Sequence, residues 1–142
     1  MHFTSIVVAA FAVVPSAFAA NFAVNVGQDN TFAFNPTSIT GAVAGDTITF
    51  TFMSRNHSAT TTTFTTPCPP PDGGVAGGFD TGFQSATGTT QPQSVVTLAS
   101  ADTQWVACRQ ANGGHCRLGM TFAVNPTASQ TYEQFLANAQ AS

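Results

Sequence analysis

The sequence predicts an all-β fold, a sandwich or barrel of short strands, and three observations carry that expectation. The first is alternation: in Thr47-Ile48-Thr49-Phe50-Thr51-Phe52 the apolar residues hold the even positions and threonines the odd ones, so one face meets a core and the other meets water. The second is punctuation, because Gly, Pro and Asp recur between short apolar runs at the intervals expected of turns. The third is composition: 43% of the 142 residues are hydrophobic and only 6% charged, and thirteen phenylalanines ask for a core.

Taken in order, the chain begins with MHFTSIVVAAFAVVPSAFA, an apolar run of signal-peptide length that closes on the small-x-small pattern Ala17-Phe18-Ala19. Residues 1–19 are therefore expected to be a secretory leader and 20–126 the folded domain. Strands are expected at 22–26, 31–34, around 38–43, at 47–52, 94–98, 105–108 and 120–124, with Ala44-Gly45-Asp46 as a tight turn between two of them. The threonines Thr60 to Thr63, Thr65 and Thr66 suit either an exposed strand face or an O-glycosylated segment. From Pro67 to Pro92 the pattern dissolves into a Pro- and Gly-rich stretch, which predicts a long loop anchored by Phe79 and Phe83 folding back onto the body. The tail, 127–142, predicts a short helix over Thr131 to Ala141, with Ser129 as its N-cap and Tyr132, Phe135 and Leu136 at helical spacing.

Charge excludes several classes of function. The net charge of -3 arises from six acids against three arginines, with no lysine. Three basic residues cannot build the stripe that displaces counterions from nucleic-acid phosphates. P-loop and Schiff-base chemistries both need a lysine. No second apolar stretch is long enough to span a bilayer, and TYEQFLANAQAS is too polar for a GPI signal, so the expected product is a monomer in the extracellular space or cell wall.

The chemistry concentrates in Trp105-Val106-Ala107-Cys108-Arg109-Gln110-Ala111-Asn112-Gly113-Gly114-His115-Cys116-Arg117-Leu118-Gly119-Met120. This segment places a thiol, an imidazole and a thioether on one strand end, one Gly-rich loop and the start of the next strand. Beyond the leader the only other histidine is His57, just after the strong strand. Together these residues form a His2-Cys-Met set, the donor combination of a type 1 copper site with a weak axial methionine. Thiolate and thioether favour Cu(I), imidazoles serve both oxidation states, and a rigid β-scaffold holds one compromise geometry. Alone, His57 reads as an ordinary surface or core histidine and Met120 as core; the coincidence of all four donors reverses that reading. Three cysteines leave one unpaired in an oxidising compartment. Giving Cys108 to a metal leaves Cys68 and Cys116, while a Cys108–Cys116 bridge around the short loop is the rival pairing.

The order His57, Cys108, His115-Cys116 and Met120 resembles that of the cupredoxins, most closely the phytocyanin-like branch, in which a disulfide cysteine directly follows the second histidine ligand. The surrounding segments FNPTSITGAVAGDTITFTFMSRNHSATTTTFTTPC, GGFDTGFQ and HCRLGMTFAVNP are similar to small secreted cupredoxin-like proteins of fungi, and the resemblance spans Asn21 to Pro126. It implies a Greek-key β-sandwich, one copper ion held by His57, Cys108, His115 and Met120, and a Cys68–Cys116 bridge. The Cys-to-His loop is longer than in typical phytocyanins, and the Ser-rich membrane-anchored tail of many relatives has no counterpart.

The function expected from this site is single-electron transfer with a redox partner. Hydrolytic catalysis is disfavoured, since both histidines are committed, the only glutamate is Glu133 in the tail, and four protein ligands leave no open position. The alternative is a non-redox protein that sequesters copper or recognises a cell surface on the same fold. Zinc ranks third, because it gains little from a thioether. Arg55, Arg109 and Arg117 each lie within two residues of a proposed ligand and no acid lies as near in sequence, which predicts a positive rim that steers an anionic partner, unless the arginines only keep the loops soluble. Asn56-His57-Ser58 is a formal glycosylation sequon that a metal site would leave unused, with Asn56 orienting the site by hydrogen bonding. Trp105 is out of phase with Cys108 along its strand and is expected to pack on the opposite face.

Overall fold

A computed structural model describes residues 18–142, so the expected leader at 1–19 falls outside it except for its last two residues. Ten strands are formed: β1 (Asn21–Val26), β2 (Phe34–Asn35), β3 (Ser38–Ile39), β4 (Thr47–Phe52), β5 (Asn56–His57), β6 (Thr60–Thr62), β7 (Gln84–Ser85), β8 (Gln93–Thr97), β9 (Gln104–Ala107) and β10 (Thr121–Val124). A single helical turn, α1 (Gly114–Arg117), precedes β10, and α2 (Tyr132–Gln140) ends the chain.

The alternating strand β4 is the centre of the first sheet, ordered β2-β1-β4-β8. It runs parallel to β1, from Asn21 opposite Thr47 to Val26 opposite Phe52. The second sheet is ordered β3-β10-β9-β6, with β3 and β10 parallel and β9 antiparallel to both β10 and β6. Strands β5 and β7 form a separate ribbon. Parallel neighbours on each sheet oblige the chain to cross between layers, which gives the interleaved sandwich of a Greek-key fold. Between the sheets lie Val24, Val26, Ile48, Phe50, Phe52, Val106, Phe122 and Val124, all without solvent exposure. The Phe50 and Phe122 rings meet edge to face, with centroids 5.7 Å apart, and tie the layers together. Buried Asp46 closes the predicted turn: its carboxylate accepts hydrogen bonds from the backbone of Ala20 and Val43 at 2.7 and 2.9 Å, pinning the start of β1 to β4.

Three sequence expectations are corrected. Of the threonine run, Thr60 to Thr62 are buried as β6 and form no exposed face, whereas Thr63, Thr65 and Thr66 are exposed. Their hydroxyls are hydrogen-bonded, as where Thr61 Oγ1 accepts from Val75 N–H and Phe79 N–H across the fold. The Pro/Gly stretch is anchored through Phe79 as expected, with the Phe79 ring 5.9 Å from that of Phe50, but it is not wholly loop, because it contributes β7 and a bridge from Asp80 to Thr60. Phe83, by contrast, stays 45% exposed. The tail helix forms as expected, but its cap is Thr131, two residues after Ser129. The Thr131 side chain accepts from Gln134 N–H, and the Gln134 side chain accepts from Thr131 N–H.

Trp105 faces away from the sandwich core, as its parity requires, and α2 covers it. The Phe135 and Phe64 rings each lie 4.8 Å from that of Trp105 and stack on one another at 6.4 Å, so the three form one aromatic cluster. Phe135→Ala is expected to cost about 3 kcal/mol through the cavity it leaves, and urea denaturation measures the loss.

Candidate metal centre

The core ends where four side chains from separate elements meet. Cys108 continues the inward parity of Val106 one step past β9, and it is fully buried in the same cluster. Met120 stands just before β10, in register with Phe122 and Val124, and is equally buried. His57 ends β5, and His115 lies in α1. The segment between Cys108 and His115, expected as a simple loop, turns through three consecutive left-handed residues, Ala111, Asn112 and Gly113, and then enters the helical turn. Backbone hydrogen bonds lock these pieces together: Met120 N–H donates to His115 O and Cys108 N–H donates to Met120 O, both at 3.1 Å.

Three donor atoms converge. His57 Nδ1 lies 3.2 Å from His115 Nδ1, and Cys108 Sγ lies 3.8 Å from the first and 3.6 Å from the second. A point about 2.1 Å from all three atoms satisfies these separations, which is the length of a transition-metal bond to imidazole or thiolate. The donor set fits a metal ion for a further reason. With both Nδ1 lone pairs turned inward, two electron-rich atoms and a sulfur face one another in a dry pocket, and a cation at their centre is what relieves that opposition. The same tautomer places the remaining proton of His57 on Nε2, which is buried and has no hydrogen-bond partner. Sulfur and two imidazoles, with the thioether residue Met120 beside them, are a soft set that matches copper better than zinc, calcium or magnesium.

Two glycines make the convergence sterically feasible. Gly27 has φ 71°, and a Cβ there would stand 2.8 Å from His57 Nε2, so the ring is seated against bare backbone. Gly113, with φ 79°, precedes α1, and a Cβ there would stand 2.7 Å from Pro69 Cα. The neighbouring Cys116 is bonded to Cys68, with Cα atoms 5.8 Å apart, while Cys108 is free. The pairing implied by the family resemblance is thus the one formed, and the rival Cys108–Cys116 bridge is not. It fastens the residue after His115 to the start of the Pro/Gly segment.

The pocket's dryness sets its protonation. Burial lowers the pKa of His57 to about 4, with the neighbouring His115 and Arg55 adding to the effect. His115 is lowered too, by burial first and then by Arg55. Burial pushes the Cys108 thiol up, against the opposing influence of hydrogen bonds from Ser58 and Gln110 and the charge of Arg109. Near neutral pH the site without metal therefore holds two neutral imidazoles and a protonated thiol.

The remaining predicted residues are arranged differently from expectation. Asn56 has a buried Oδ1 without a hydrogen-bond partner, and the residue that bonds to the site is Ser58, whose N–H donates to Cys108 Sγ at 3.4 Å. Arg109 has acids close by in space although none is close in sequence: it pairs with Asp72 at 2.8 Å and Asp80 at 3.1 Å, and it lies over the Phe83 ring. Arg55 donates to Asn30 Oδ1 and sits 4.9 Å above the Phe32 ring, which in turn lies 4.6 Å from His115. Arg117 donates to the backbone of Asn112 and Ser142. Gly27, Phe32 and Ser58 went unread as site residues; only Ser58 carried a signal, its place next to His57.

The fold is that of the cupredoxins. A mutant plastocyanin of fern superposes with a TM-score of 0.52 at 22% identity, covering 72% of this chain and 97% of that one. Auracyanin A, a "blue" copper protein from the green thermophilic photosynthetic bacterium Chloroflexus aurantiacus, gives 0.51 at 14% identity, covering 76% and 98%. Native pseudoazurin from Hyphomicrobium denitrificans gives 0.50 at 21%, covering 75% and 74%. Neither a family model nor a curated protein matches the sequence. The cupredoxin reading of the fold thus holds.

Protonation of the histidines links the site to stability. Because the folded pKa of His57 lies below its ordinary 6.5, the unfolded chain takes up the proton first, and stability present above 6.5 is lost as pH falls towards about 4. The melting temperature of the metal-free protein is expected to fall across this window. The fall should be visible before most carboxylates titrate, above about pH 5. It should be shallower in His57→Gln, and calorimetry across pH checks both.

Proposed function

We propose that the protein is a type 1 copper electron carrier, in which His57, Cys108, His115 and Met120 would hold the ion. The observation that supports this most directly is the convergence of two Nδ1 atoms and one Sγ, each 3.2–3.8 Å from the others, at the end of a rigid core. Copper, when bound there, supplies a one-electron Cu(II)/Cu(I) couple: an external donor gives one electron and an external acceptor removes it. The chain's own part is to hold the donors still. Cys108 and Met120 are fixed by their mutual backbone bond, His115 by α1 and the adjacent disulfide, and His57 by Gly27 behind it. Little needs to move when charge changes, which favours rapid exchange.

With four protein donors no position is open for a substrate, which argues for a carrier over an enzyme. The disulfide half-cystine directly after His115 supports the phytocyanin-like branch. Residues 1–19 are read as a secretory leader, with the domain at 20–126, the tail at 127–142 and the mature protein a monomer outside the cell. No helix among the described residues is long and apolar enough to cross a membrane. The partner is a redox protein or small reductant, with Arg55 and Arg117 as the exposed cations at this end of the molecule and Arg109 largely neutralised by its aspartates.

Adding Cu(II) to the purified protein is expected to produce an intense absorption band near about 600 nm, absent from Cys108→Ser, followed by reversible one-electron titration. A band without reversible cycling would favour sequestration over electron transfer. No band, in protein whose Cys108 thiol is reduced, would refute the copper site.

The protonation state makes a second expectation. At pH 7 only the Cys108 thiol carries a proton that metal must displace, because burial keeps both imidazoles neutral. Copper uptake should release about one proton per ion, and the affinity should rise roughly tenfold per pH unit around neutrality, as measured with an indicator dye and competition titration.

A further inference from the structure

The carboxylate that closes the turn before β4 lacks a cation. Asp46 is only 4% exposed. Its Oδ1 accepts from Ala20 N–H at 2.7 Å and its Oδ2 from Val43 N–H at 2.9 Å, and both donors are neutral backbone amides. A carboxylate has about four positions for accepted hydrogen bonds, and burying its charge is costly unless a positive group stands beside it. Among the described residues the ion pairs are those of Arg109 with Asp72 and Asp80. The other two arginines are engaged elsewhere, Arg55 by Asn30 and Arg117 by the carbonyls of Asn112 and Ser142. The sequence contains no lysine, and His57 and His115 belong to the metal centre. No cationic side chain among the described residues is left to neutralise Asp46.

The residue that reaches Asp46 is the first one after the small-x-small pattern Ala17-Phe18-Ala19. Phe18 is 92% exposed, and Ala19 and Ala20 are exposed as well. Strand pairing begins one residue later, where Asn21 stands opposite Thr47, and the Ala20 carbonyl is already fixed by accepting from Thr47 N–H at 2.8 Å. The nitrogen of Ala20 is therefore held against the carboxylate, while the two residues before it lead out into solvent.

We propose that hydrolysis of the Ala19–Ala20 bond creates the missing cation: the α-ammonium of Ala20 is the counterion of Asp46, so that removal of the leader completes the fold. The processing step rests on reading residues 1–19 as a leader; the ion pair itself does not. Water splits the bond with a leader peptidase as catalyst. Its oxygen goes to Ala19, which departs as a carboxylate, and both of its hydrogens end on Ala20 N, which becomes –NH3+. One neutral N–H is thereby replaced by a charged donor at the same position, 2.7 Å from Oδ1, a length typical of charge-assisted bonds. The pair lies at the opposite end of the six-residue strand β1 from Gly27 and the His57 ring, about 20 Å away by strand rise, so it acts on the fold and leaves the metal centre alone.

Three forms of the metal-free protein test this near about pH 6.5, where an α-amine is protonated. They are the chain 20–142 with a free amine, the same chain acetylated on its α-amine, and a chain that also carries Phe18 and Ala19. Acetylation keeps an N–H at Ala20 and removes only the charge. The extension removes the charge from Ala20 and adds little packing, since Phe18 is 92% exposed. In urea denaturation each change should lower the folding equilibrium constant about tenfold. In Asp46→Asn, which keeps an acceptor oxygen without the charge, the same changes should cost less than about threefold; equal losses in both backgrounds overturn the ion pair. If Asp46→Asn does not fold, amine reactivity carries the test. With no lysine present, the α-amine is the only amine an acetylating ester can find. In folded 20–142 it should react about tenfold more slowly than in the extended chain, whose amine sits on the exposed Phe18, and equal rates overturn the ion pair. The intact mass of the secreted protein separates the two readings. A chain that does not begin at Ala20 refutes the leader boundary and the processing step with it, whereas a chain that begins there with an unprotected amine refutes the ion pair and leaves the leader standing.

Discussion

Two imidazole nitrogens and a sulfur, each within 3.8 Å of the others in a largely buried pocket, are the constraint on which the rest of the structure depends. Such an arrangement is unfavourable for a bare polypeptide. The donors point their lone pairs at one another, burial drives the Cys108 thiol towards its neutral form, and His57 Nε2 has no partner. A flexible loop would relax away from it. Here each donor is instead tied to an element whose own position is secured elsewhere: Cys108 to the central strand β9, Met120 to β10, His57 to the β5–β7 ribbon, and His115 to a helical turn beside a disulfide. The stability of the large phenylalanine core offsets the local penalty, and a bound cation would turn the opposition into attraction.

The Pro/Gly segment explains why the protein spends a long connection at this end of the sandwich. Its glycines pass close over β6; a Cβ at Gly78 would overlap the Thr61 side chain, so only backbone fits there. Backbone N–H groups at that distance supply partners for the buried threonine hydroxyls, which is how a polar strand lies without exposure in the second sheet. The same segment delivers Asp80 to Thr60 and to Arg109, and Phe83 beneath the guanidinium. The residue following the ligand sulfur is therefore held by a carboxylate, a second acid at Asp72 and an aromatic ring at once. It is part of the wall of the site more than a free charge on its rim.

Much of this was legible in the sequence, and the limits of that legibility have physical reasons. Strand β4 was readable to the residue because one face meets a core and the other water, which is the condition under which a period of two appears. Strand β6 was misread because its polar side chains are paid for by backbone donors from residues 75–79, a long-range satisfaction that local composition does not encode. Strands β5 and β7 have only two residues each, too few for any period. The four site residues could be picked out because a His2-Cys-Met set is chemically rare. Ser58, Gly27 and Phe32 were not, since a hydroxyl beside a ligand, a bare Cα behind a ring and a phenylalanine in a turn are common features until the fold brings them together. The same holds for the charge of Arg109: proximity in sequence suggested a cation without a counterion, whereas Asp72 and Asp80 approach it from across the fold.

The two histidines are supported in unlike ways, and the difference bears on where an electron would pass. His57 has no solvent exposure, and its ring is closed in by Gly27 behind and the β5–β7 ribbon around it. His115 is only partly buried, on the outer side of the cluster, and Phe32 leans against it with Arg55 stacked above. The support of His115 comes from below: Cys116 is bonded to Cys68, α2 packs against α1, and Arg117 donates to the carbonyl of the last residue. The terminal helix therefore does more than cover Trp105. It braces the turn that carries the partly exposed His115, the histidine nearer the surface. A site whose outward ligand is rigid can exchange an electron at its solvent edge without surrendering the dry, inflexible geometry that the inner three donors require.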